Sequence, residues 1–139
     1  MVQIVGMKHL TLILSLFIST LMFASPAYAD WEKVGDDMIG TNFYVDTDST
    51  IEVAGHVYYW ELRDYLEPSL SGYISAKIYY QGDCYLFKYR DLSHTVYKQQ
   101  MGEGNGMSAT AINNEWKNPP PNSTSEAILN QVCKFAENL

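Results

Sequence analysis

Asp91, Ser93 and His94 are the residues of this chain that most resemble a hydrolytic set. A serine nucleophile needs an imidazole to take its proton and a carboxylate to orient that imidazole. Folds assemble such groups from separate segments, often with the serine on a Gly-x-Ser-x-Gly turn. No such turn occurs here. On a regular strand 91 and 93 share one face and 94 points to the other, so a polar strand segment is expected. Metal chemistry has as little to work with. Past residue 29 only His56 and His94 remain, and no zinc spacing of Cys and His appears. Asp46-x-Asp48-x-Thr50 opens like a calcium loop, but Ile51 stands where the glycine belongs and Val57 where the last acid belongs, so a hydrogen-bonded turn is expected. Gly102-x-Gly104-x-Gly106 has the glycines of a phosphate loop without its Lys-Ser/Thr or a following helix start, and reads as a mobile hairpin loop. Asn122-Ser123-Thr124 matches a glycosylation acceptor but also opens a helix cap. No catalytic residue, metal or cofactor is expected.

The compartment follows from the start of the chain. Lys8 and His9 precede an uncharged apolar run from Leu10 to Phe23, and Ala27-Tyr28-Ala29 offers small residues at the two positions a signal peptidase inspects. Residues 1–29 read as a secretory signal peptide cleaved after Ala29, leaving 30–139 as one domain. The expected location is periplasmic or secreted. Asp30, not cysteine, follows the cleavage site, so no lipid anchor is expected. All 16 acidic residues lie beyond the leader and Lys8 is lost with it, so the mature chain is more acidic than the −7 of the whole. Such a surface repels phosphate backbones and anionic headgroups, which argues against nucleic acid as a partner.

In an oxidising compartment the two cysteines, Cys84 and Cys133, read as one disulfide. It closes a loop of about 50 residues, worth about 4 kcal/mol on the chain-entropy model.

These features need elements to carry them. Short aromatic runs bounded by turn residues read as strands: Asn42–Asp46, Thr50–Val53, His56–Leu66, Tyr73–Gln81 and Cys84–Tyr97, with a further one near Met107–Ile112. His56–Leu66 alternates Tyr58, Trp60, Leu62 against Tyr59, Glu61, Arg63. Alternation weakens in Cys84–Tyr97, either because both faces are covered or because a bulge near Asp91–Ser93 switches the facing. Ser123 to Glu126 forms a capping box, and Ile128, Leu129, Val132, Cys133 and Ala136 share one helical stripe. The expected fold is α+β: a single antiparallel sheet of about five to six strands with one C-terminal helix packed on it, tied by the disulfide.

Every tyrosine but Tyr28 survives cleavage, more than a core of this size needs. Tyrosine favours strands by shape alone and is also enriched at interfaces, so the excess has two readings. Tyr59, Tyr65, Tyr79, Tyr85 and Tyr89 are the candidates for an exposed aromatic binding strip.

The ordered set Trp31, Phe43-Tyr44-Val45-Asp46-x-Asp48-Ser49, Val57-x-x-Trp60-x-Leu62-x-Asp64-Tyr65, Ser75-Ala76-Lys77, Asp83-Cys84, Tyr89-Arg90, Tyr97, Met101-Gly102-x-Gly104, Trp116, Pro121-x-Ser123-x-x-Glu126 and Val132-Cys133 resembles the surface-adhesin protein E family across nearly all of 30–139. The resemblance implies a bacterial exported domain without enzymatic activity that binds host matrix or envelope proteins. Two other readings stand beside it. One is a small periplasmic ligand-binding protein or enzyme using a pocket near Arg90 or His94. The other is a structural envelope component that self-associates, as a homodimer, through an exposed sheet edge.

Overall fold

The computed structural model describes residues 29–111 and 113–139. The expected leader therefore lies almost wholly outside the described residues, as does Ile112.

Seven strands make one antiparallel sheet: β1 (Trp31–Asp36), β2 (Asn42–Asp46), β3 (Ile51–Val53), β4 (His56–Asp64), β5 (Ser75–Asp83), β6 (Lys88–Tyr97) and β7 (Met107–Thr110). The order is β1-β2-β4-β5-β6-β7, with β3 paired to β4 beyond the end of β2. One helix follows, α1 (Thr124–Ala136). The expected class holds. The extra strand is β1, whose sequence WEKVGD carries little apolar signal because it lies at an edge and pairs with β2 alone.

The capping box forms with a small displacement. Ser123 Oγ accepts from the Glu126 N–H at 3.1 Å, while the Glu126 carboxylate accepts from Asn122 N–H, one residue before the cap. Ile128, Leu129, Val132 and Ala136 are buried against Val45, Val57, Tyr59, Ile78 and Tyr80. Cys133, on the same stripe, is bonded to Cys84 at the end of the β5 hairpin. Gly82 lets the helix come close: a Cβ there would stand 2.9 Å from both Leu129 Cδ1 and Val57 Cγ2.

Helix and disulfide thus cover one face of the sheet. The other carries no helix. Its far end is crossed by the segment around the 3₁₀ turn Gln100–Gly102, where the Met101 N–H donates to Asp64 Oδ1 and the Gly102 N–H to Ser75 Oγ, both at 2.9 Å. Gly102 is buried with φ near +64°, a left-handed backbone that favours glycine. The glycine run expected as a mobile loop is tied to the sheet here by the bonds to Asp64 and Ser75.

Candidate binding face

The bulge in β6 rewrites the Asp91–His94 segment. Tyr79 pairs with Ser93 and Tyr80 with Asp91, so Leu92 is the extra residue. One added residue inverts the alternation. Asp91 and His94 therefore share the helix-covered face, with His94 Nε2 3.1 Å from Asp91 Oδ2, and Ser93 lies on the opposite face. The expectation that His94 points away from Asp91 is overturned, and the alternative of a bulge is the one realised. The nucleophile and the imidazole of a hydrolytic set are thereby parted by the sheet. Lys117 Nζ reaches Asp91 Oδ1 at 3.2 Å, so the carboxylate is held between the His94 imidazole and the Lys117 ammonium. Beside it lies an open cleft of about 300 Å³ lined by Asp91, His94, Ala109, Thr110, Ala111 and Asn113.

Next to it lies an ion pair between the buried Glu61 and the half-buried Arg63. Arg63 Nε donates to Glu61, and Arg63 Nη2 donates to the Tyr80 hydroxyl at 2.9 Å. Burial pushes the Glu61 carboxyl above its usual range, and Arg63 only partly opposes it. Burial also opposes the Arg63 charge, but Glu61 and Tyr80 together outweigh it and hold the guanidinium protonated. Burial likewise raises the Tyr59 and Tyr80 phenols.

The five candidate tyrosines do not form one strip. Tyr59 is 2% exposed and stacks on Tyr80 inside the core. Its assignment to an exposed surface is corrected, and the cause is physical. Its strand face also carries Glu61 and Arg63, which look solvent-facing in sequence, yet they pair with each other and let that face be buried. Tyr89 packs on the same side, edge-on to Tyr80 at 5.6 Å. Tyr65 follows the end of β4, half-buried, its N–H bonded to Ile74. Tyr85 is exposed but stands on the hairpin tip, not in a strand: Asp83 Oδ1 accepts from the N–H groups of Tyr85 and Leu86 and turns the chain. Of the five, Tyr79 alone lies on the open face.

What gathers around Tyr79 are aromatics the sequence reading did not select. Trp60 stacks on it across the β4–β5 pair at 4.7 Å, and Tyr58 lies at 6.2 Å. Trp31, from β1, lines one cleft of about 330 Å³ together with Trp60, Lys77, Thr95 and Tyr97. A neighbouring cleft of about 660 Å³ continues under the Gln99–Gly104 segment. At the other end of the face Trp116 stacks on His56 at 5.6 Å and receives Arg90 at 4.8 Å and Lys88 at 5.0 Å over its ring. Reciprocal backbone bonds between Tyr89 and Lys117 hold the Trp116 segment there. Lys77 completes the set, its ammonium 5.1 Å from the Tyr97 ring and 5.8 Å from Trp31. All three tryptophans of the chain thus stand half-buried on one face. A signal existed: Trp60 alternates with Tyr59, so the burial of one predicts the exposure of the other.

Asp46 behaves as the turn reading expects, its backbone oxygen accepting from Thr50 Oγ1 at 3.1 Å. Among the described residues no three His, Cys, Asp or Glu side chains converge on a metal position.

The architecture is thus that of a small disulfide-tied antiparallel sheet with one face covered by its helix and an aromatic face that no α-helix covers. The surface-adhesin protein E family model matches residues 31–134, and the chain belongs to that family. Two solved structures of Haemophilus influenzae protein E share its fold. One, crystal form II, is 13% identical with a TM-score of 0.58, covering 80% of this chain and 92% of that one. The other is 13% identical with a TM-score of 0.59, covering 81% and 90%. No curated protein sequence matches the chain. Family membership makes this a surface adhesin-like protein, with the exported or surface location that implies.

Proposed function

We propose that the mature chain, released by cleavage after Ala29, is a non-enzymatic binding module that holds a host matrix or envelope protein on the open face of its sheet. The observation that carries this reading is the placement of Trp31, Trp60 and Trp116 on the one sheet face that no helix covers. Tryptophan and tyrosine offer large contact area for little lost side-chain freedom, and they dominate the energetics of interfaces. The separation of Ser93 from His94 supports a binding role over a hydrolytic one.

The test is a binding screen of the protein recovered from the bacterial envelope against purified matrix and envelope proteins, repeated with Trp60→Ala and Trp116→Ala. A saturable partner whose affinity falls at least about tenfold in these variants is the expected result, as for central aromatic contacts. A partner indifferent to both, or none at high micromolar concentration, contradicts the reading.

A further inference from the structure

We infer that the open face recognises an extended acidic peptide segment, with carboxylates about four residues apart seating on Lys77 and on the Lys88–Arg90 pair. This rests on the open-face reading above and names the chemistry of its partner.

Charge complementarity is the first support. The chain is strongly acidic, yet Lys77, Lys88 and Arg90 converge on this face and none of the three is ion-paired among the described residues. Each lies instead over an aromatic ring. A cation over a ring is oriented but not neutralised, so its charge remains available to an anion. The net negative charge of the chain disfavours acidic ligands in general, and Asp46, the carboxylate that shares the Lys77 cleft, is itself buried.

Ring packing is the second. Trp60 and Tyr79 are stacked, with 28° between their planes. Each ring gives one of its faces to the other, and the rim of the stack is the positive part of the quadrupole. That rim suits carboxylates and main-chain carbonyls better than the flat apolar face of a sugar, which needs an open ring face.

Spacing is the third. Lys77 and Gln81 are four residues apart on β5, and Gln81 pairs with Arg90, whose Nε donates to the Gln81 side chain at 2.8 Å. Four residues of strand span about 14 Å, and an extended peptide lying along β5 has the same repeat.

The test uses the exported protein, isotope-labelled, titrated by NMR at physiological ionic strength, where a screening length of about 8 Å leaves only local charge effective. The probe is a capped peptide, acetyl-Glu-Thr-Tyr-Val-Glu-amide, compared with its Gln and Lys isomers and with a version whose two Glu are adjacent. Binding of the spaced Glu peptide roughly threefold to tenfold tighter than the Gln isomer, with shifts at the indole N–H of Trp60 and Trp116, is expected, since each exposed ion pair adds little. Lys77→Gln with Arg90→Gln should erase that preference. Because the isomer comparison needs no variant, a misfolded variant does not spare the proposal. Equal binding of Glu and Gln isomers, tighter binding of the Lys isomer or the adjacent-Glu version, or tighter binding of a heparin fragment than of the spaced peptide overturns it. If a protein partner depends on Trp60 but not on Lys77 and Arg90, the acidic-segment inference alone fails; if no partner touches Trp60, the open-face reading fails with it.

Discussion

The two faces of the sheet share strands, and therefore backbone, yet differ in almost every other respect. On the helix side Val57, Tyr59 and Ile78 are nearly inaccessible, and the Glu61 carboxylate is drawn in with them beside the half-buried Arg63. On the other side, one residue along on β4, Tyr58 and Trp60 remain half-exposed beside Lys77, Lys88 and Arg90. Polarity does not decide which face is covered. The helix does, through its apolar stripe, and the Cys84–Cys133 bond fixes it in place. The same strands thus bury Tyr59 and Glu61 on one face and leave Tyr58 and Trp60 half-exposed on the other.

The largest expected effect comes from cutting the clasp. Replacing Cys84 and Cys133 together by serine should lower the unfolding free energy by about 4 kcal/mol, read as a shift of the urea midpoint, because a long loop is no longer closed in the unfolded chain. A loss under about 1 kcal/mol would mean that apolar packing alone seats the helix.

Tyr59→Ala should cost roughly 3 kcal/mol or more, the range for deleting a buried aromatic. Tyr85→Ala, at an exposed tip, should fall within about 0.5 kcal/mol of the unaltered protein. Similar losses at both positions would erase the distinction between core and surface tyrosines. On the open face, Trp60→Ala removes a stack worth about 1 kcal/mol, so its stability loss should be smaller than that of Tyr59→Ala while its loss of binding is larger.

The smallest effect is a pH dependence. Burial raises the Glu61 carboxyl in the folded state above its ordinary value of 4.5. A group whose folded pKa is raised contributes stability below its unfolded pKa and loses it as pH rises through the folded pKa. Urea midpoints for the unaltered protein and Glu61→Gln, taken at several pH values upward from 4, should therefore move in favour of the Gln variant as pH rises. A difference that moves the other way would mean that Arg63 stabilises the charged carboxylate more than burial opposes it.

Much of the fold is legible in the residues. Asp83 and Ala54-Gly55 mark hairpins that form, with Ala54 and Gly55 both at positive φ. Ser123 and Glu126 mark the helix start, and the two cysteines mark the clasp. Three things are not legible, each for a reason. β1 is an edge strand with one neighbour, so its sequence needs no apolar alternation. The Leu92 bulge shows only as weakened alternation, which equally fits a strand covered on both faces, so the sequence offers it without choosing it. The covered face of β4 cannot be told from alternation, because period two separates the faces without saying which one a distant helix meets. The mistaken exposure of Tyr59 descends from that last point, as does the neglect of Trp60.

Hydroxyl-radical footprinting of the exported protein, alone and saturated with the partner identified by the binding screen, tests the open face most directly. The expected pattern is oxidation of Trp31, Trp60, Tyr79 and Trp116 in the free protein, their protection in the complex, and little labelling of Tyr59 or Tyr80 in either. Protection that fell on α1 or on the β7 edge, with those four still oxidised in the complex, would contradict the assignment of binding to the uncovered face.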